Sequence, residues 1–355
     1  MERTILIALF LPLLAVPPIS GKPVFQKGMS YTAWSQYALS TPESTESLRT
    51  LRRDGADWVA LTVFWFQDNK NSTVITEDFT RYSASRSSLQ KAIQDIHQAG
   101  MKVMLKPMVD LRTGEWRGVI VPSDAWFQAY EAFIADWGVF AAQNGVDMLC
   151  VGCEFVDADK SRQWEPAWRR VIARARSVFT GPLTYAVNHD DEQNITWWDA
   201  LDYIGIDAYY TLTSKKNPTR AELLAAWKAR ADRIETWRNR SWPQMPIIFT
   251  EIGYRSYDGA NIEPWDYQKN DPQGVDLQEQ VDCYSAALEI LTPRDWFYGF
   301  YWWAWETQPN AGGPADTGYT VQNKPAEAVL KEWYVEKLVG GRFPPSVIKR
   351  FEEYQ

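Results

Sequence analysis

The chain has 355 residues, 45% hydrophobic and 23% charged, which is enough apolar material for one large core. A formal charge of -8 and a pI near 5.1 argue against a nucleic-acid or anionic-membrane partner, because both require a basic face. Three cysteines, Cys150, Cys153 and Cys283, are too few for a disulfide framework. Cys150 and Cys153 lie in an apolar run with no second ligand pair, so buried free thiols are expected and a metal site is not.

Residues 1–21 read as a secretory signal, which predicts a secreted or periplasmic product. Arg3 gives a weakly positive start, an apolar run covers Ile5 to Val16, and Pro17-Pro18-Ile19-Ser20-Gly21 breaks it. That run is too short for a bilayer core of roughly 30 Å, so stable membrane insertion is not expected. Residues 22–355 read as a single catalytic domain.

In chain order, Gln26–Trp34 is a first strand, and Pro42 opens a helix that closes near Gly55. Trp58–Phe66 is the second strand, followed by a helix over Ser87–Ala99 with Gly100 as its C-cap. Lys102–Val109 is the third strand, ending on Asp110. Ser123 caps a long helix that stops at Asn144-Gly145. Val146–Phe155 is strand four, an apolar run that delivers Glu154; its helix spans Glu165–Phe179. Strand five is Pro182–Asn188, with a short helix around Trp197–Ala200. Strand six is Tyr203–Tyr210, and its helix runs from Arg220 to Trp237. Met245–Tyr254 is strand seven and delivers Glu251, followed by a helix over Leu277–Leu291. Phe297–Trp305 is strand eight, and the last helix is Pro325–Val335.

Eight strand-then-helix units predict a parallel sheet closed into a (β/α)8 TIM barrel. An open doubly wound sheet would carry a glycine-rich phosphate loop after strand one, and Met29-Ser-Tyr-Thr-Ala-Trp34 is unlike one. The longest loops, near 67–84, 110–122, 254–276 and 306–322, all follow strands. They therefore crowd the C-terminal face, where barrel enzymes keep their sites.

A carboxylate ending a buried strand is costly unless it sits at the mouth of a site. Glu154 and Glu251 end strands four and seven, on roughly opposite sides of a barrel mouth. Such a pair matches glycoside hydrolysis, in which one group protonates the leaving oxygen and the other attacks or activates water; a separation of about 5–5.5 Å implies retention of configuration. The aromatic content of 14%, with 19 Trp, fits the same chemistry, because flat apolar rings stack on the C–H face of a sugar. Core packing accounts for part of it. The two histidines, His97 and His189, and the lack of a serine nucleophile elbow or zinc motif leave other hydrolytic chemistry poorly supplied. No cofactor is called for.

The chain resembles glycoside hydrolase clan A, and within it family 113. The stretches that carry the likeness are Gly28-Met-Ser-Tyr31, Trp65-Phe-Gln-Asp68, Leu105-Lys-Pro107, Val151-Gly-Cys-Glu154, Thr250-Glu-Ile-Gly-Tyr254 and Tyr301-Trp-Trp-Ala-Trp305. The resemblance implies Glu154 as acid/base and Glu251 as nucleophile. It further implies an endo-acting, retaining β-1,4-mannanase whose partner is mannan, glucomannan or galactomannan. Most of clan A carries Asn before the acid/base, where this chain has Cys153, so the sugar 2-hydroxyl contact must come from elsewhere or be absent. A β-glucan or other β-hexoside substrate, and a silent carbohydrate-binding barrel, are the alternatives.

Several further residues are candidates for the site. Tyr209 or Tyr210 would donate to Glu251 and hold it ionised. Trp303 and Trp305 would form a platform under the scissile sugar, with Trp34 and Trp65 at the rim; core packing is the competing role for each. Lys106 and Asn188 would bond sugar hydroxyls, against a salt bridge inside the barrel for Lys106. Asp68 and Asp207 would support the site or cap loops.

Overall fold

A computed structural model describes residues 24–268 and 274–338; the expected signal segment lies outside them. Eight strands pair in parallel, each with its neighbours in sequence, and close into a barrel. The strands are β1 (Gln26–Tyr31), β2 (Trp58–Gln67), β3 (Lys102–Leu111), β4 (Met148–Cys153), β5 (Leu183–Asn188), β6 (Tyr203–Asp207), β7 (Ile247–Ile252) and β8 (Phe297–Trp305). The helices are α1 (Pro42–Arg53), α2 (Arg86–Gln98), α3 (Asp124–Gln143), the single turn α4 (Val156–Asp159), α5 (Glu165–Arg176), α6 (Arg220–Ser241), α7 (Leu277–Leu291) and α8 (Pro325–Lys331). Between β5 and β6 the chain makes only a 3-10 turn, Trp198–Ala200. No helix among the described residues is long and apolar enough to cross a membrane.

Helix starts follow their caps. Thr41, Ser85, Ser123 and Asp276 each accept from the backbone N–H three residues on, and Thr219 with Glu222 completes a capping box. Each such cap satisfies a donor that the first turn leaves unpaired.

Strand alternation sorts the side chains into two cores. On β2, Val59, Leu61 and Val63 face the helices, whereas Ala60, Phe64 and Phe66 fill the barrel. Met104, Met108, Met148, Cys150, Ala186, Tyr203, Ile248 and Tyr301 belong to the same interior. Near its floor Tyr301 donates to Gln26 Oε1 at 2.6 Å. The outer core is aromatic between α3, α5 and the wall: Trp126 stacks on Tyr130 at 4.8 Å, and Trp168 on Trp197 at 5.2 Å.

Candidate active site

The strand pleat alone would not aim both glutamates at the barrel axis. The β4–β5 pairing slips between Cys150 and Cys153, and the β7–β8 pairing slips between Phe249 and Ile252. Irregularities of this kind re-aim the side chains that follow them. In β7 both Thr250 and its neighbour Glu251 reach the interior network. In β4, Gly152 leaves room for the Tyr185 ring, which a Cβ there would approach to 2.4 Å. Glu154 follows directly, in the left-handed region at φ 56°, a conformation L side chains rarely adopt and one that clusters at functional sites. Its N–H donates to Ala186 O at 2.9 Å.

Glu251 is held from two sides. Lys106 Nζ donates to Oε1 at 2.5 Å and Tyr209 OH to Oε2 at 2.8 Å. Lys106 is fully buried and also bonds both oxygens of Asp207, at 3.0 and 3.2 Å. Thr250 Oγ1 at 2.7 Å and Cys153 Sγ at 3.3 Å complete the shell of Asp207. Burial works against the Lys106 charge, but the carboxylates of Asp207 and Glu251 outweigh it and raise its pKa well above the usual value. One ammonium cannot neutralise two carboxylates, so burial and the Glu251 charge push Asp207 up to about 7. The outcome is a charged lysine clamp under Glu251.

Glu154 has different company. Trp116 Nε1 at 3.1 Å and Arg117 Nη1 at 3.0 Å both donate to its Oε2. Burial pushes its carboxyl above the ordinary range; Arg117 opposes that and the Glu251 charge adds to it. Arg117 is anchored in turn by Asp110, whose Oδ1 accepts from Nε at 2.9 Å and Nη2 at 2.6 Å. Tyr82 OH donates to the other oxygen of Asp110 at 2.9 Å.

Both glutamates open into one cleft of about 1370 Å³ at the C-terminal face. Trp34, Asn188, Tyr209 and Trp303 line it. Trp34 stacks on Phe64 at 5.9 Å, and its indole N–H is pinned to Glu306 Oε2 at 2.9 Å. Asn188 turns its amide to His189 O and Asp191. Lys106 and Asp207 lie beneath the cleft floor rather than on it, so the salt-bridge role is the one observed for Lys106.

Three expected contacts are placed elsewhere. Trp65 shares the outward parity of Val63 and packs edge-on against Trp137 at 5.6 Å. Tyr210, one residue past Tyr209, is fully buried beneath the Arg230 guanidinium, 4.3 Å from its ring. Trp305 is turned outward by the register shift of β1 on β8, and its indole donates to Ser47 Oγ at 2.8 Å. Asp68 is an exposed partner of Arg112 at 3.0 Å. We predict that Trp65→Leu costs roughly 1–3 kcal/mol in denaturant unfolding, because the ring packs in the outer core; an unchanged unfolding midpoint would contradict this placement.

The cleft also holds residues that strand reading missed: Trp116, Arg117, His189, Trp265, Glu306 and Tyr319. Only Trp34, Trp116 and Trp265 among the tryptophans are exposed, at 50%, 46% and 43%, and all three line this cleft. His189 stacks on Trp265 at 5.2 Å. The length of the loops after β3 and β7 was the signal available for several of these.

The family model for Glycoside Hydrolase Family 113 matches residues 29–324. No curated protein matches. Among solved structures, a GH113 β-1,4-mannanase complex is 29% identical with a TM-score of 0.78, over 88% of this chain and 99% of that one. The β-mannanase of Alicyclobacillus acidocaldarius in complex with ManMIm is 29% identical with a TM-score of 0.77, over 88% and 97%. A β-glucuronidase from Ruminococcus gnavus, 13% identical with a TM-score of 0.60 over 88% of this chain and 50% of that one, shares the barrel fold alone. With most of its length matched by that model, the chain belongs to glycoside hydrolase family 113.

Proposed function

We propose that the protein is a retaining endo-β-1,4-mannanase, with Glu251 as nucleophile and Glu154 as acid/base. The observation that carries this reading is the unlike treatment of two carboxylates in one cleft. Glu251 accepts from a buried ammonium and a tyrosine, whereas burial favours the protonated form of Glu154. In the first step the Glu154 proton passes to the glycosidic oxygen as that oxygen leaves C1, and a Glu251 oxygen bonds C1. In the second, Glu154 takes a proton from water, the water oxygen bonds C1, and the bond to Glu251 breaks.

The cleft exceeds the range of about 300–1,000 Å³ typical of single small-ligand sites, which suits a chain substrate. Family membership and the mannanases it resembles support mannan as that chain. Digestion of mannohexaose, with product anomers followed by NMR from the first minutes, tests all three parts. Internal cleavage to shorter mannosides that appear first as the β-anomer is expected. A first-formed α-anomer would overturn retention, release of mannose alone would overturn endo action, and preference for cellohexaose would overturn the substrate.

A further inference from the structure

The loop after β3 meets Glu154 in an asymmetric way. Two consecutive residues, Trp116 and Arg117, send their donors to the same oxygen, Oε2. Oε1 accepts no hydrogen bond among the described residues, and it is not a sealed atom lacking a partner either; it faces the cleft. An oxygen that already receives an indole N–H and a guanidinium N–H is a poor place for a proton.

Resting on the acid/base reading of Glu154, we propose that Arg117 is a positioning residue that, with Trp116, confines the transferable proton of Glu154 to Oε1, and that Asp110 holds Arg117 in that task. The geometry supports each link. Arg117 Nη1 reaches Oε2, while Nε and Nη2 are both spent on Asp110 Oδ1, which Tyr82 steadies from the other side. The guanidinium is nearly enclosed, with 11% of its side chain exposed, so its charge acts on Glu154 with little screening. Asp110 offsets that charge; without it the carboxylate form of Glu154 would be favoured too strongly for a proton donor.

The charged and titratable groups around Glu154 are few: Arg117 and Asp110 from the β3 side, Lys106 on β3, Cys153 on β4, Asp207 on β6 and Glu251 on β7. Of these only Arg117 bonds the carboxylate directly. Removing it takes away a cation that lowers the pKa, so Glu154 then holds its proton to higher pH but donates it less readily.

The test compares wild type with Arg117→Gln and Arg117→Lys on mannohexaose, whose leaving sugar needs a proton, and on a 2,4-dinitrophenyl β-mannobioside, whose leaving group does not. In Arg117→Gln the alkaline limb of kcat/KM for mannohexaose is expected to move up by about 1–3 pH units. Turnover of mannohexaose should fall at least about tenfold at the plateau, within the range general acids contribute, while kcat/KM for the dinitrophenyl substrate, which reports the first step alone, is little affected. Arg117→Lys should keep the limb near its wild-type position. Equal losses on both substrates with an unmoved limb would mean that Arg117 merely braces the loop, and would overturn the proposal.

A 13C titration of the Glu154 carboxyl in substrate-free protein separates this idea from the mannanase reading. If wild type cleaves no mannoside yet the Glu154 titration moves up in Arg117→Gln, the substrate reading fails and this one stands; an unmoved titration sinks it. Should Arg117→Gln not fold, Trp116→Phe removes the other donor to Oε2 and is read the same way, with a smaller shift expected.

Discussion

Glu251→Ala is expected to lose at least about 10⁴-fold in kcat on mannohexaose, as removal of a covalent nucleophile does elsewhere. Tyr209 and Lys106 should keep the surrounding shell in place, because both retain partners or neighbours in the barrel interior. Azide is small enough to occupy the vacated space, so it should restore turnover of an activated mannoside as the α-glycosyl azide. Glu154→Ala should lose most on poor leaving groups, and azide should there give the β-azide, since the glycosyl-enzyme still forms. Opposite anomers from the two variants would assign the two roles in one experiment. Near-normal turnover in Glu251→Ala would end the glycosidase mechanism proposed here.

The second large effect is on stability. Lys106→Met leaves Asp207 and Glu251 buried with no cation between them, and breaking a buried ion pair from one side typically costs about 3–5 kcal/mol. The loss should depend on pH with a definite sign. Asp207 is already raised to about 7 by burial and by Glu251, and removing the ammonium raises it further. A carboxyl whose folded pKa lies above its unfolded value, about 3.9, favours the fold fully below that value and loses the contribution as pH rises through the folded one. Urea unfolding of the variant should therefore show a larger deficit at pH 8 than at pH 5. A deficit that grows towards low pH, or none at all, would contradict the clamp.

Much of this architecture is written in local pattern. Short apolar runs closed by turn residues located all eight strands, and one helix cap, Ser123, was read directly from the sequence. Glu154 and Glu251 stood out because a charged residue closing an apolar run has few structural excuses. The outward placement of Trp65 was readable too: it lies on the same face of β2 as Val59, Leu61 and Val63, so period-two counting separates it from Phe64 and Phe66. Trp305 was not readable in that way, because counting from Tyr301 and Trp303 aims it inward and only the slipped pairing with β1 turns it out. Likewise nothing in Tyr209-Tyr210 says which ring enters the cleft once the strand has stopped at Asp207.

The loop residues were the hardest part. Trp116 and Arg117 sit in a segment with no hydrophobic period, and although Asp110 is near Arg117 in sequence, the partner they share, Glu154, is distant until the barrel closes. The lysine clamp was half visible: the charge on β3 was plain, but its two partners come from β6 and β7.

The distribution of indoles has an optical corollary. Sixteen of the 19 tryptophans are shielded at least in part, and the three that face solvent all border one cleft. Iodide, which quenches only the fluorophores it can collide with, will therefore draw its signal chiefly from that cleft. A saccharide lying across it should screen those rings, so the protein carries a built-in emission probe of occupancy that needs no label and no turnover.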